Sequence, residues 1–403
     1  VPEAVIVSTA RSPIGRAFKG SLKDLRPDDL LAQITTAALA KLPGLDPATV
    51  DDFYVGAADN SGQHGNNIAR IVAVMLGLDT VPGASINRFC ASSVQTQRMA
   101  FHAIKAGEGD VFIAAGVECV SRYMGLVDGE KALNPVFDTA RERTTSTTAS
   151  NATWHDPRED GVLPDAYIAM GQTAENVVTL RGISRLEQDE WAVESQNRAE
   201  KAIADGFFAR EITPVTLPDG TVISADDGPR AGTTLEKISG LKPVFRENGT
   251  ITAGNACPLN DGAAALVIMS DTRAAELGLT PLARIVATAA SALSPEIMGL
   301  GPVGATQQVL ARAGMSVADI DLFEINEAFA AQVLPSAADI GIDLDKLNVH
   351  GGAIALGHPF GSTGARIATT LINGLQSRDG QFGLETMCIA GGQGMAIIYE
   401  RLS

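Results

Sequence analysis

Two cysteines, a histidine and an asparagine lie in small-residue, glycine-rich surroundings. They are Cys90 in Asn87-Arg88-Phe89-Cys90-Ala91-Ser92-Ser93, Asn326 in Asn326-Glu327-Ala328-Phe329-Ala330, His358 in Gly357-His358-Pro359-Phe360-Gly361, and Cys388 in Cys388-Ile389-Ala390-Gly391-Gly392. Cys90 follows a short apolar run, Ala84-Ser85-Ile86, and precedes about four turns of helix-compatible sequence that stop at Gly107. It therefore sits where a strand hands over to a helix. The orphan N–H groups and positive dipole end of a helix lower a thiol's pKa from about 8.5 towards neutrality, which predicts a nucleophile. A small buried hydrophobe is the other reading of a lone cysteine beside a strand. An imidazole near Cys90 would take its proton, since little of a free thiol is ionised at neutral pH. Glycine turns let backbone approach a substrate and present N–H groups to a developing oxyanion.

The elements that must position these groups alternate. Ala4–Ala10 reads as a strand, 28–42 as a helix ending before Pro43, 50–55 as a second strand, and 62–76 as a loop and then a helix. The Cys90 unit and the apolar run 111–115 continue the β/α alternation, which predicts a parallel sheet. His64 has no second ligand at metal spacing and reads as a loop or subunit-contact residue. The polar stretch 139–153 reads as an exposed excursion, and 163–204 as helical, with Ser184 and Glu187 forming a capping box. Asp219-Gly220 marks a turn, and 254–270 returns to small residues and a buried strand. From there the early pattern recurs: 284–289 answers 5–10, and 320–325 answers 50–55. This predicts two related halves, 1–120 and 266–403, separated by an inserted domain over 121–265.

Composition narrows the function classes. The chain has 403 residues, 45% hydrophobic but only 5% aromatic, so the core must be built from Ala, Val, Ile and Leu with much glycine. That suits helices packed tightly on buried sheets. A formal charge of −16 argues against nucleic acid and anionic membranes as partners. The four cysteines (Cys90, Cys119, Cys257, Cys388) are far apart with no C-x-x-C pair, which predicts free thiols in a reducing compartment. No apolar run reaches the roughly 18 residues of a membrane span. Val1-Pro2-Glu3 reads as neither a signal nor a transit peptide, so the expected location is the cytoplasm. Gly299-Leu300-Gly301-Pro302-Val303-Gly304 matches G-x-G-x-x-G only formally. The preceding strand ends too early, and Pro302 lacks an N–H that a pyrophosphate would need.

Taken in order, NRFCASS, MGQTAEN, GNACPLNDGAA, NEAFAAQ, GGAIALGHPFGSTGAR and CIAGGQG resemble the thiolase family of acyl-CoA acyltransferases, over the whole chain from Val5 onward. The resemblance implies an α/β thiolase fold: two βαβαβαββ-type halves in five layers, with a loop domain inserted in the first. It implies that Cys90 is acylated, that His358 activates it, and that Cys388 is the second acid/base. It further implies that Asn326 holds a water which, with His358, forms one oxyanion hole. The backbone N–H groups of Cys90 and Ala390 would form the other. Coenzyme A is implied as co-substrate, with no tightly bound cofactor and no metal, and Arg230 and Cys257 are implied to lie along it. Homodimers or homotetramers are usual in the family, and membership of a multienzyme β-oxidation complex stays open.

Several positions depart from the family pattern. Ala390 replaces a usual glycine, Thr363 a frequent serine, and Cys119 and Cys257 common serines. Ala169 stands where short-chain biosynthetic relatives often carry histidine, which leaves room for longer or bulkier acyl chains. The implied activity is thiolytic cleavage of 3-ketoacyl-CoA. The rivals are an acetoacetyl-CoA-forming acetyltransferase and a non-catalytic acyl-CoA-binding protein on the same scaffold. The last should have lost Cys90, His358 or Cys388, and all three are present.

Overall fold

The computed structural model describes residues 1–123, 132–147 and 152–403. Its main sheet runs Leu322–Ile325, Phe382–Ile389, Gln393–Arg401, Ala283–Ala292, Ala4–Arg11, Asn260–Ser270, Val111–Cys119, Asp52–Gly56 and Gly83–Ile86, with Gly15–Arg16 paired to one side. Within the sheet the two halves join where Val5 and Ile6 pair with Arg284 and Ala283. Within each half the pairing pattern is the same. Asp52–Gly56 lies parallel to Val111–Cys119, which is antiparallel to Asn260–Ser270, which is antiparallel to Ala4–Arg11. In the second half Leu322–Ile325, Phe382–Ile389, Gln393–Arg401 and Ala283–Ala292 repeat those relations in that order. The internal repeat expected from sequence is thus a repeat of topology.

The expected parallel sheet is a mixed one. Phe382–Ile389 and Gln393–Arg401 are joined by three residues, and so short a link permits only an antiparallel pair, because parallel strands need a long crossover. The sheet takes the chain back at Asn260, after the excursion that leaves Val111–Cys119.

Side-chain alternation along the strands generates five layers. Val111, Ile113, Ala115 and Val117 face an outer core shared with the helices Pro27–Ala40 and Ile68–Met75. Phe112 and Ala114 face a central core shared with the helices Ser92–Ala106 and Thr363–Arg378. Met395, Ile397 and Tyr399 of the second half reach the same central core from the opposite side. Ala396 and Ile398 face the outer helices Gly301–Ala313 and Ala330–Ile340. Alternation at period two is what lets each strand serve two cores at once. The helices that begin at Cys90 and at His358 are therefore the buried middle layer.

Three local expectations need correction. The stretch 139–153 is mostly exposed where described but is not irregular: Asp138–Ser146 is a helix with Ala140 and Thr144 buried, and 148–151 lie outside the described residues. Arg143 in it pairs with the buried Glu296, and Thr144 donates to Asp165 at 2.6 Å. The stretch 163–204 is two helices, Met170–Arg181 and Arg185–Ala204, broken at Gly182 with φ 69° and preceded by irregular backbone. The expected capping box at Ser184 and Glu187 opens the second. His64 is no surface contact: it is buried, and its Nε2 accepts the backbone N–H of Cys119 at 2.9 Å.

Candidate active site

Cys90 occupies a single helical turn, Phe89–Ala91, between the strand Gly83–Ile86 and the helix Ser92–Ala106. The turn is tight enough to force Phe89 to φ 44°, a left-handed conformation that costs a bulky residue energy and persists only when its surroundings impose it. Those surroundings are hydrogen bonds. Phe89 N–H donates to Asn87 Oδ1 at 2.8 Å, and the Ser92 hydroxyl donates to Phe89 O at 2.7 Å while accepting from Arg88 N–H at 2.9 Å. The result is a half-buried thiol with the backbone N–H groups of Cys90 and Ala390 directed at its sulfur.

The sequence expectation of a lowered thiol pKa does not hold in the folded chain. Burial pushes Cys90 up to about 11, and the two N–H groups offset only part of that. Cys90 rests as a neutral thiol.

His358 comes from the other half. The turn Phe360–Ser362 that follows it packs on the Cys90 turn, and Ala365 N–H donates to Ser93 Oγ at 2.9 Å, so the two central helices begin side by side. Gly116 and Gly361 make that approach possible: a Cβ on Gly116 would strike Gly361 O, and one on Gly361 would strike Gly56 O. The imidazole is buried, which drives its pKa down to about 3, with Arg366 opposing the charged form as well. Thr363 Oγ1 stands 2.7 Å from His358 Nδ1 and donates its proton to Pro359 O at 3.1 Å. With that proton given to Pro359 O and the Asn326 amide N–H facing Nε2, the network assigns the N–H to Nδ1 and the lone pair to Nε2. Asn326 Nδ2 lies 3.2 Å from that Nε2, whereas Asn326 Oδ1 is buried with no partner. Asn260 fixes the backbone from below, its Oδ1 accepting His358 N–H at 2.9 Å.

Cys388 ends the strand Phe382–Ile389, fully buried, its thiol held well above the usual range by burial and by the neighbouring Cys90 and Cys257. Cys257 is half-buried and pushed up for the same reasons, its N–H donating to Ala328 O at 3.1 Å. Three thiols thus share one neighbourhood. Arg230 lies apart from them: it is exposed, its N–H donates to Gln196 Oε1 at 2.9 Å, and burial together with the nearby Arg16 disfavours its charge. His350 is buried and stacked face to face on Phe207 at 3.7 Å, a packing role.

The chain matches two family models, the thiolase N-terminal domain over residues 4–272 and the thiolase C-terminal domain over residues 279–401. It belongs to the thiolase family. Among similar proteins, the 3-oxoadipyl-CoA/3-oxo-5,6-dehydrosuberyl-CoA thiolase of Escherichia coli K12 is 45% identical, the match covering 99% of this chain and 100% of that protein. A 3-ketoacyl-CoA thiolase of Aeromonas hydrophila is 42% identical over 99% of this chain and 100% of its own length. The crystal structure of Bacillus anthracis acetyl-CoA acetyltransferase superposes with a TM-score of 0.87 at 38% identity, covering 100% of this chain and 99% of that one. The chain is accordingly a thiolase acyltransferase, an enzyme class that uses coenzyme A as a substrate. Among the described residues of this thiolase, no helix is long and apolar enough to cross a membrane.

Sequence reasoning passed over two residues that hold the candidate reacting groups. Thr363 reads from sequence as a mild change at a helix start, yet its hydroxyl fixes the tautomer of His358. It stands five residues after His358, which lies before the helix Thr363–Arg378 begins, so the spacing alone does not announce the contact. Glu327, adjacent to Asn326, is buried and accepts from Trp191, Ser195, Asn348 and Ile354 N–H, tying four segments beneath the site. Nothing in the local sequence separates it from a surface glutamate.

Proposed function

We propose that this thiolase runs degradatively, cleaving a 3-ketoacyl-CoA with coenzyme A to acetyl-CoA and a shortened acyl-CoA through an acyl-Cys90 intermediate. The observation that carries the reading is the packing of the turn that holds Cys90, a neutral thiol under two N–H donors, against the turn that follows His358, a buried imidazole with its lone pair on Nε2. Because Cys90 is raised and His358 lowered, a thiolate–imidazolium pair is strongly disfavoured before substrate binds. The proton therefore passes to Nε2 as sulfur bonds to the 3-keto carbon. The alkoxide formed there sits in the N–H groups of Cys90 and Ala390. Its collapse breaks the bond between C2 and C3, and Cys388 protonates the departing acetyl-CoA enolate. A water on the unpartnered Oδ1 of Asn326, with the now protonated Nε2 of His358, stabilises the enolate oxygen. Coenzyme A then gives its thiol proton to Cys388 and its sulfur attacks the acyl-Cys90 thioester. Collapse of the adduct forms the shortened acyl-CoA, and the departing Cys90 sulfur takes back the proton held on His358 Nε2. Two thiols are needed because one is acylated while the other moves protons.

The apolar neighbourhood of Cys388 suits an acyl chain. It includes Met170, Val178, Met298 and Phe329, and methionine adapts to irregular shapes. Ala169 caps the helix Met170–Arg181 with a small side chain, and similar proteins include thiolases named for 3-ketoacyl-CoA and 3-oxoadipyl-CoA. The test is the initial rate of thiolysis over acetoacetyl-CoA, 3-oxoadipyl-CoA and longer 3-ketoacyl-CoAs. The expected result is a kcat/KM for the best longer substrate at least about tenfold above acetoacetyl-CoA, the scale of one or two buried methylenes. Turnover confined to acetoacetyl-CoA would favour the acetyltransferase rival instead.

The inserted stretch 121–265 supplies the coenzyme A surface in this proposal, with Arg230 facing the nucleotide phosphates and Cys257 lying along the pantetheine. Arg230→Ala is expected to raise the KM for coenzyme A about tenfold with kcat little changed, since a lost phosphate contact is uniform binding. An unchanged KM would remove Arg230 from the site. The proposed assembly is a homodimer or homotetramer in the cytoplasm, joined through Gly83–Ile86, the half-buried last strand of the sheet, whose open edge can pair with another chain. A solution mass of one chain would rule that assembly out.

A further inference from the structure

Glu118 lies near the end of the strand Val111–Cys119, wholly buried and outside the reacting groups. A buried carboxylate is costly unless its oxygens are satisfied, and this one is ringed by donors. Oε2 accepts from Ala58 N–H at 2.7 Å and from Gly361 N–H at 2.8 Å. Oε1 accepts from the Tyr123 hydroxyl at 2.7 Å and from Asp59 N–H at 3.3 Å.

Both partners of Oε2 lead to the site. Ala58 O accepts from Asn87 Nδ2 at 2.9 Å, and Asn87 Oδ1 accepts from Phe89 N–H at 2.8 Å. That bond helps hold Phe89 at φ 44°, one residue ahead of Cys90. Gly361 is three residues beyond His358, in the turn that seats the imidazole. One carboxylate oxygen thus grips the loop that fixes the nucleophile and the turn that carries its base, and the two come from opposite halves of the chain.

We propose that Glu118 is a positioning residue for thiolysis, its ionised carboxylate setting Cys90 against His358 by bridging Ala58 and Gly361. This rests on the assignment of Cys90 and His358 as the reacting pair. Hydrogen bonds to an ionised acceptor are roughly twice as strong as neutral ones, so the grip depends on charge. Burial raises Glu118 to about 7, whereas His358 is driven to about 3 and Cys90 to about 11. Of these three, only Glu118 changes charge near neutrality. The groups that face it are Asp59 from the loop after Asp52–Gly56, Cys90, Cys119 on its own strand, Tyr123 and, edge-on behind Tyr123, His64.

The test is the pH profile of kcat for the full-length wild type and for Glu118→Gln, a neutral mimic of the protonated acid. In the wild type kcat is expected to fall about tenfold as pH drops through 7, a small loss on the scale of misplaced reacting groups. Glu118→Gln is expected to stay flat at the low-pH rate of the wild type, with KM for coenzyme A unchanged. A purely structural glutamate would leave the step in place. Folding gives an independent readout of opposite sign. Glu118 is raised from 4.5 in the folded chain, so its ionisation weakens the fold as pH rises from 4.5 to about 7. The wild type should therefore lose thermal stability between pH 4.5 and about 7, a slope that Glu118→Gln lacks. A variant that keeps the step near pH 7, or keeps the wild-type rate at pH 8.5, overturns the proposal. Mass spectrometry of protein quenched during turnover separates the two assignments. An active wild type without an acyl group on Cys90 overturns the reacting pair, whereas an acylated Cys90 with an unaltered pH step in Glu118→Gln overturns Glu118 alone.

Discussion

Cys90→Ala is expected to lower kcat for thiolysis by at least about 10⁴-fold, because no other group takes over a covalent step when its nucleophile is removed. The substitution is mild for the fold: Cys90 is half-buried, sits in a one-turn element, and gives up only the two N–H contacts to its sulfur. A circular dichroism melt close to that of the wild type should accompany the loss. Retention of more than a few per cent of the wild-type rate would remove Cys90 from the mechanism. The pH dependence of iodoacetamide labelling adds a sign-specific check. With the thiol raised to about 11 and His358 lowered to about 3, both groups keep one protonation state from about pH 5 to 9. The rate of Cys90 labelling should stay low and rise about tenfold per pH unit, with its midpoint near 11, because only the thiolate reacts. A midpoint near 7 would mean that the helix end governs the thiol after all.

His358→Ala should cost about 10³-fold in kcat, roughly 4 kcal/mol of barrier, the range of a positioned general base. Removing His358 leaves Cys90 with no proton acceptor, and the unpartnered Asn326 Oδ1 cannot substitute, because an amide oxygen is too weak a base. Thr363→Val is the finer test. It keeps the shape of the helix start but removes the 2.7 Å contact to Nδ1, so the imidazole loses the partner that holds its lone pair on Nε2. A drop of about tenfold is expected, with KM for coenzyme A unchanged, since second-partner losses of this kind run from about 10- to 100-fold. Acid inactivation supplies the control. Because His358 stays neutral down to about pH 3, its protonation cannot cause a loss of activity between pH 6 and 8. Such a loss belongs to another group, and Glu118 is placed to cause it.

The amino-acid sequence by itself determined the family, the plan of the fold and the candidate reacting groups. Cys90 between an apolar run and a helix, His358 ahead of a proline, Cys388 before a double glycine, and the recurrence of 5–10 at 284–289 are all local patterns. Local patterns survive because strand alternation and helix starts depend on neighbours in the chain. Tertiary structure alone decided the rest. Strand direction followed from how long each connection is and where it returns, so a β/α alternation that suggests a parallel sheet produced a mixed one. The helix at Asp138–Ser146 forms over a polar stretch because distant Glu296 and Asp165 receive Arg143 and Thr144. The charge state of Cys90 reversed the sequence expectation because desolvation outweighs two N–H groups and a helix end, and desolvation is set by every atom packed around a site. For the same reason Glu118, Asn260 and Thr363 were not legible as functional. Each acts through partners that only the folded chain brings within 3 Å.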